Sequence, residues 1–291
     1  MIALSRRAML AGSLLAVPAR ASVPAANDQD GALRDGLAKL EDRHGGRLGV
    51  AILHSATGRL IAHRGDEAFP LCSTFKFLAG AFVLARVDRK AESLHRRIVY
   101  TRAGLLPYSP VTGQHAGGDG LSVGALCEAA VTLSDNTAAN LLLDSFGGPA
   151  KLTAYIRSLG DPVTRLDRCE PTLNEARPGD PRDTTTPAAM AEDLNRIILG
   201  TALSPASRAQ LAAWLVANKT GGKRLRAGVP PGCRVGDKTG SGANNTTNDI
   251  AVVWPPGKPP IIITAYYTGA RASDEELSAV LADVGRLAMT A

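Results

Sequence analysis

The chain has 291 residues, with 33 Lys and Arg against 27 Asp and Glu and a formal net charge of +6. That length can bury a large core as one domain or two lobes, and the ordinary composition is that of a soluble globular protein. Three of the arginines (6, 7 and 20) lie in residues 1–21, which carry no acid, so the rest of the chain is only +3. With no dense Lys/Arg block interleaved with aromatics, neither a nucleic-acid footprint nor a polybasic membrane patch is expected.

The first 21 residues read as a targeting segment. Ser5-Arg6-Arg7 is a basic start with paired arginines, Ala8 to Val17 is a short apolar run, and Ala19-Arg20-Ala21 is a small-x-small cleavage site. The pattern predicts a signal peptide of the twin-arginine type over 1–21, cleaved near Ala21, and a periplasmic mature protein. The apolar run is too short for a permanent span, so no stable membrane anchor is expected. Residues 22–30 read as a flexible leader.

Ala32 to Arg43 carries Leu33, Leu37 and Leu40 on one face and stops at Gly45-Gly46, which predicts an amphipathic helix. Leu48 to Leu53 and Arg59 to His63 flank a Ser-Ala-Thr-Gly turn and predict a β-hairpin. Ser73 opens a stretch that is apolar almost all round, hence a buried helix. Residues 87–120 are irregular. Ser122 to Val131, Asp135 to Leu143 and Pro149 to Leu159 predict three helices, the second and third closed by glycines. Residues 161–185, with four prolines and many charges, form a loop long enough to expect a function of it. Thr186-Pro187 and Ser204-Pro205 open helices 187–199 and 205–217. Cys233 to Thr239, Asp249 to Trp254 and Ile261 to Thr268 are β-type runs, and Ser273 to Glu276 is a capping box for a last helix over 274–288.

The order is helix, two strands, many helices, three strands, helix. It predicts an α+β fold in which both chain ends build one antiparallel five-stranded sheet flanked by helices, with an all-helical lobe inserted. The boundaries are residues 22–65 and 219–291 for the α/β lobe and 66–218 for the helical lobe, including the 165–183 loop. The active site is expected between them.

Four stretches carry chemistry. In Ser73-Thr74-Phe75-Lys76 a hydroxyl and an amine stand three residues apart where a helix begins, so Lys76 can point at the Ser73 oxygen. Burial would disfavour the charged amine and make a base of it. Ser134-Asp135-Asn136 supplies a hydroxyl and a carboxamide where one helix gives way to the next. Lys238-Thr239-Gly240, followed by Ser241, suits an edge strand that receives a carboxylate. Glu170-Pro171-Thr172-Leu173-Asn174 places a carboxylate and a carboxamide in the long loop, where both could hold one water. The five histidines and four cysteines have no metal-ligand spacing, so neither a metal nor a cofactor is expected.

S-x-x-K, S-D-N and K-T-G in this order, with the E-P-x-L-N loop, make the chain resemble the class A serine β-lactamases over essentially its whole mature length. The resemblance implies a hydrolase that opens the β-lactam ring of penicillins and cephalosporins through an acyl-enzyme, confers antibiotic resistance and acts as a monomer on a small-molecule substrate. Ser73 is then the nucleophile, and Lys76, or Glu170 acting through water, the acylation base. Ser134 passes a proton to the leaving nitrogen, tuned by Lys238. Glu170 and Asn174 hold the deacylating water. Asn136 binds the substrate amide, Thr239 and Ser241 receive the carboxylate, and Tyr108 stands at the cleft mouth. The backbone N–H groups of Ser73 and Ser241 form the oxyanion hole. Arg224 matches a carboxylate-binding arginine of some members, with Arg226 as its rival. Arg168 and Asp183 resemble the ion pair closing the long loop. Two family disulfides are excluded, because Gly242 and Gly80 stand where Cys72 and Cys127 would find partners; free thiols are expected. A D-Ala-D-Ala peptidase or a β-lactam sensor would share Ser73, Lys76 and Lys238, but typically lacks the pair Glu170 and Asn174.

Overall fold

A computed structural model describes residues 26–290; the predicted signal peptide lies outside them. The first helix, α1 (Ala26–His44), already includes residues 26–30, which the sequence reading gave to a flexible leader. Its Asp30 pairs with Arg59 at 3.4 Å, which ties this part of the helix to β2. Then come β1 (Arg47–His54) and β2 (Arg59–His63), the predicted hairpin. A 3-10 turn (Cys72–Thr74) leads into α2 (Phe75–Asp88), followed by α3 (Val123–Thr132), α4 (Asn136–Phe146) and α5 (Pro149–Ser158). After the long loop come α6 (Pro187–Leu194), which runs on into a π turn over Asn195–Leu199, and α7 (Pro205–Val216). The chain ends with β3 (Arg234–Gly242), β4 (Thr246–Trp254), β5 (Ile261–Thr268) and α8 (Asp274–Ala288).

The five strands form one antiparallel sheet in the order β2-β1-β5-β4-β3. Side chains alternate across a strand, and here both alternating sets are apolar. Leu48, Val50, Ile52, Ile263 and Ala265 pack under α1 and α8, whereas Ala51, Leu53, Ile250, Val252 and Ile262 join the core of the helical lobe. A sheet covered on both faces reads as continuous apolar runs, which is why β1 shows no polar alternation.

Two strands are longer than their sequence suggested. The K-T-G segment lies inside β3, which continues to Gly242, and β4 begins at Thr246 rather than Asp249. The added Gly, Ser and Asn are poor or neutral strand formers, drawn in by pairing such as Ser241 with Thr247, whereas Thr246 and Thr247 favour a strand themselves. Asn244 and Asn245, at φ 55° and 49°, turn the chain between the two strands; asparagine tolerates that left-handed backbone.

Helix starts follow the capping chemistry. Ser122, Asp135, Thr186 and Ser204 each accept a hydrogen bond from the backbone N–H three residues on, and Ser273 and Glu276 form the capping box. Helix α2 is the axis of the lobe. Residues 75–81 are all buried, Lys76 included, so this amine must find its partners inside the protein. No helix among the described residues is long and apolar enough to cross a membrane.

Candidate active site

The turn that carries Ser73 is held from both sides. Leu71 N donates to Asp183 O at 2.8 Å, and Thr74 Oγ1 donates to Leu71 O at 2.7 Å. Cys72 takes a φ of 44°, so the chain bends sharply just before the serine and presents it at the entrance to α2.

One turn into the helix, Lys76 Nζ donates to Ser134 O at 2.8 Å and to Asn136 Oδ1 at 2.7 Å. It also lies 3.3 Å from Ser134 Oγ and 2.9 Å from Glu170 Oε1. The Ser73 hydroxyl itself donates to Glu170 Oε1 at 3.3 Å. The pairing expected from i, i+3 spacing is thus replaced: among the described contacts the Lys76 amine bonds the S-D-N segment and the carboxylate, and the carboxylate meets the serine. Burial lowers the Lys76 pKa, and the charge of Glu170 opposes that shift.

Ser134 adopts φ 58°, which turns its side chain between two amines. Its Oγ is 3.1 Å from Lys238 Nζ and 3.3 Å from Lys76 Nζ. Lys238 is fully buried, and burial, with the charge of Lys76 next in weight, pushes its pKa well down. Asp135 holds this segment in place. Its carboxylate caps Ala138 N at 2.8 Å and takes Val111 N and Thr112 N at 2.9 Å each, tying α4 to the Tyr108 segment. The tripeptide is therefore a helix cap and a source of site groups at once.

Glu170 is placed by its backbone. Asn140 of α4 accepts from Glu170 N at 3.0 Å and donates to Glu170 O at 2.9 Å. Asn174 Nδ2 reaches Glu170 Oε2 at 2.5 Å, and Asn174 Oδ1 is buried with no hydrogen-bond partner. The loop is closed by Arg168 Nε on Asp183 Oδ2 at 2.5 Å. Asp183 Oδ1 takes Asp167 N and Arg168 N at 2.7 and 2.9 Å. Asp183 is 1% exposed, so this pair is interior rather than a surface contact.

On β3, at the sheet edge, Arg224 donates to Gly240 O and Asn248 O at 2.8 Å each and to Ser241 Oγ at 2.7 Å. Arg226 instead pairs with buried Asp237, behind the strand. The arginine at the cleft is Arg224.

Ser73, Tyr108, Ser134, Asn136, Asn174, Arg224, Thr239 and Ser241 line one cleft of about 360 Å³. Larger surface hollows, of about 740, 720 and 380 Å³, hold none of these side chains, and we assign the site by its chemistry rather than by volume. Sequence reasoning missed Asn140 and Thr220. Thr220 belongs to a second Lys-Thr-Gly, residues 219–221, and also faces the cleft, 2.5 Å from Thr239 Oγ1. All four cysteines are free, Cys72 and Cys127 in the core. A Cβ at Gly242 would stand 2.7 Å from Cys72 Sγ, and one at Gly80 would meet only Leu211 and Val131.

A buried hydroxyl at a helix entrance, two low-dielectric amines and a carboxylate backed by an amide define a serine hydrolase that works through an acyl-enzyme. Residues 32–291 match the model of the β-lactamase enzyme family. β-Lactamase L2 of Stenotrophomonas maltophilia is 49% identical over 289 residues, 99% of this chain and 92% of that protein. β-Lactamase CTX-M-25 of Escherichia coli is 45% identical, over 97% of this chain and 96% of that one. The solved structure of an ancestral class A β-lactamase of Gram-negative bacteria superposes with a TM-score of 0.88 at 65% identity, over 89% of this chain and 99% of its own. The chain belongs to the class A serine β-lactamase family.

Proposed function

We propose that this enzyme, a β-lactam hydrolase by family, runs its two half-reactions on one carboxylate oxygen, Glu170 Oε1. The carrying observation is that this atom touches both the Ser73 hydroxyl and the Lys76 amine, with no part of either the Lys76 or the Glu170 side chain open to solvent. In acylation Ser73 Oγ adds to the lactam carbonyl and its proton passes to Glu170. The carbonyl–nitrogen bond breaks, and the nitrogen takes a proton from Ser134, whose hydroxyl is resupplied by the adjacent lysines. The backbone N–H groups of Ser73 and Ser241 face the developing oxyanion.

Glu170 then hands the Ser73 proton to Lys76, 2.9 Å away, which restores the carboxylate. In deacylation a water adds to the ester as Glu170 takes its proton, the ester C–O bond breaks, and Ser73 Oγ leaves with that proton returned by Glu170. At 3.3 Å the direct Ser73–Glu170 contact is longer than an ordinary O–H···O bond, hence weak enough for a water bonded to both oxygens to replace it. The unpartnered Asn174 Oδ1 is an acceptor for its second proton. Asn136 binds the substrate amide, Thr239 and Ser241 receive its carboxylate with Arg224 behind Ser241, and Tyr108 walls the mouth. Arg168 and Asp183 hold the loop that presents Glu170. The protein acts as a monomer in the periplasm, with Ser22 as its first residue after export.

The test is a chromogenic cephalosporin assay on purified protein with intact-mass analysis of the same sample. Hydrolysis with a transient mass increase is expected, and Ser73→Ala should abolish both. Retained hydrolysis in that variant would refute the mechanism, and a permanent adduct on the wild type would make the protein a β-lactam trap.

A further inference from the structure

Two hydroxyls face the carboxylate end of the cleft, and their hydrogen-bond directions differ. Arg224 donates into Ser241 Oγ at 2.7 Å. A guanidinium has no acceptor, so the Ser241 proton stays available to a ligand. Thr239 is the opposite case. Its Oγ1 lies 2.5 Å from Thr220 Oγ1, and the next contact settles which of the two gives the proton. Asn218 Oδ1 accepts from Thr220 N at 3.1 Å and from Thr220 Oγ1 at 2.8 Å. An amide oxygen only accepts, so the Thr220 proton points at Asn218, and the proton between the two threonines belongs to Thr239. The Asn218 amide cannot flip to relieve this, because its Nδ2 is held at 2.7 Å by Asp237 Oδ2 behind the strand. At rest the single proton of Thr239 is aimed away from the substrate.

We propose that Thr220 is a positioning residue and that Asp237, Asn218, Thr220 and Thr239 form a relay that reverses when a substrate carboxylate arrives. Thr220 turns its hydroxyl from Asn218 to Thr239, and Thr239 turns its own to the carboxylate. No proton changes owner, and Asn218 Oδ1 keeps the Thr220 N–H. The exchange gives up a bond to a neutral amide for one to an anion, and bonds to ionised acceptors are the stronger. Thr220, donating into Thr239, also strengthens the bond Thr239 gives. Reversal is therefore favourable only for an anionic ligand, so the relay selects substrates that carry a carboxylate. The inference rests on the proposed role of Thr239 and Ser241 as carboxylate receivers.

Replacing Thr220 by valine keeps the shape and removes the hydroxyl. For a penicillin, Thr220→Val should raise KM by about 3–10-fold with kcat within about twofold, the size of a lost support to a charged hydrogen bond. For the methyl ester of the same penicillin, which has no anion, KM should be the same in wild type and variant. Thr220→Ser should restore the acid's KM, and Thr220→Ala repeats the test should the valine variant fold poorly. An unchanged KM for the acid, or an equal loss with acid and ester, would overturn the relay. Failure of the Ser73 assignment would show separately, as hydrolysis surviving Ser73→Ala.

Discussion

Glu170 Oε1 stands 2.9 Å from Lys76 Nζ, and neither side chain touches solvent. The carboxylate acts on the state of the amine. Burial presses Lys76 toward its neutral form while the carboxylate holds the proton on it. Removing the carboxylate frees Lys76 to act as a base toward Ser73 but leaves nothing to activate water. Glu170→Ala should therefore still be acylated by penicillin, with deacylation slowed by about 10²–10⁴-fold, the usual worth of a general base. Stopped samples should show a lasting mass increase; rapid turnover by this variant would remove Glu170 from the role.

The interior position of the Arg168–Asp183 pair gives a second expectation. Arg168→Ala leaves the Asp183 carboxylate buried with only backbone donors, and breaking such a pair destabilises by about 3 kcal/mol. The strain falls on the loop that carries Glu170, so deacylation should drop more than acylation. Urea midpoints with pre-steady-state acylation rates would check both; a variant that loses only acylation would contradict it.

How much of this was legible in the sequence follows from what each signal measures. The hairpin and α8 were read to within a residue or two because turn residues and a capping box are local chemistry. The S-x-x-K, S-D-N, K-T-G and E-P-x-L-N stretches led to the cleft because each carries its functional group on the segment itself. Partners set by tertiary structure were not legible. Spacing put the Lys76 amine on Ser73, yet S-D-N and Glu170, brought in from α4 and the long loop, take it instead. Asn140 holds Glu170 by its backbone from 30 residues away, and nothing local marks it. β3 extends through Gly240, Ser241 and Gly242 because pairing overrode propensity.

Gly242 stands against the carbonyl of Asn174. A Cβ there would sit 2.7 Å from Asn174 O and 2.7 Å from Cys72 Sγ. Asn174 O also accepts from Ala243 N at 2.9 Å, so the carbonyl cannot yield without loosening β3 from the loop. Gly242→Ala should lower stability by about 1–3 kcal/mol, as overpacking does. It should also slow deacylation by moving the residue that orients Glu170. Thermal unfolding and ester lifetime are the measurements; an unchanged melting temperature would mean the loop adapts freely.

A buried acid pair away from the cleft makes stability depend on pH. Asp193 on α6 is fully buried, and neither of its oxygens has a hydrogen-bond donor; Asp161 Oδ2 is in the same condition. Arg196 reaches no nearer than 3.8 Å. A proton on one Asp193 oxygen, donated to Asp161 Oδ2, gives two of these three oxygens a partner. Burial, then the charge of Asp161, accordingly raises the Asp193 pKa from 3.8 to about 9. The folded chain keeps a proton that the unfolded chain releases, so this group's contribution is complete below about pH 4 and is lost as pH rises toward 9. Asp161 Oδ1 meanwhile caps Val163 N and Thr164 N at the start of the long loop, so it must stay in place. Asp193→Asn supplies a permanent N–H to Asp161 without the proton. It should stabilise the protein by about 1–3 kcal/mol at pH 8, have little effect near pH 4, and flatten the fall between them. Urea denaturation of both proteins across that range decides it: a variant less stable at pH 8, or one with the wild-type slope, would show that the carboxyl pair does not hold the shared proton.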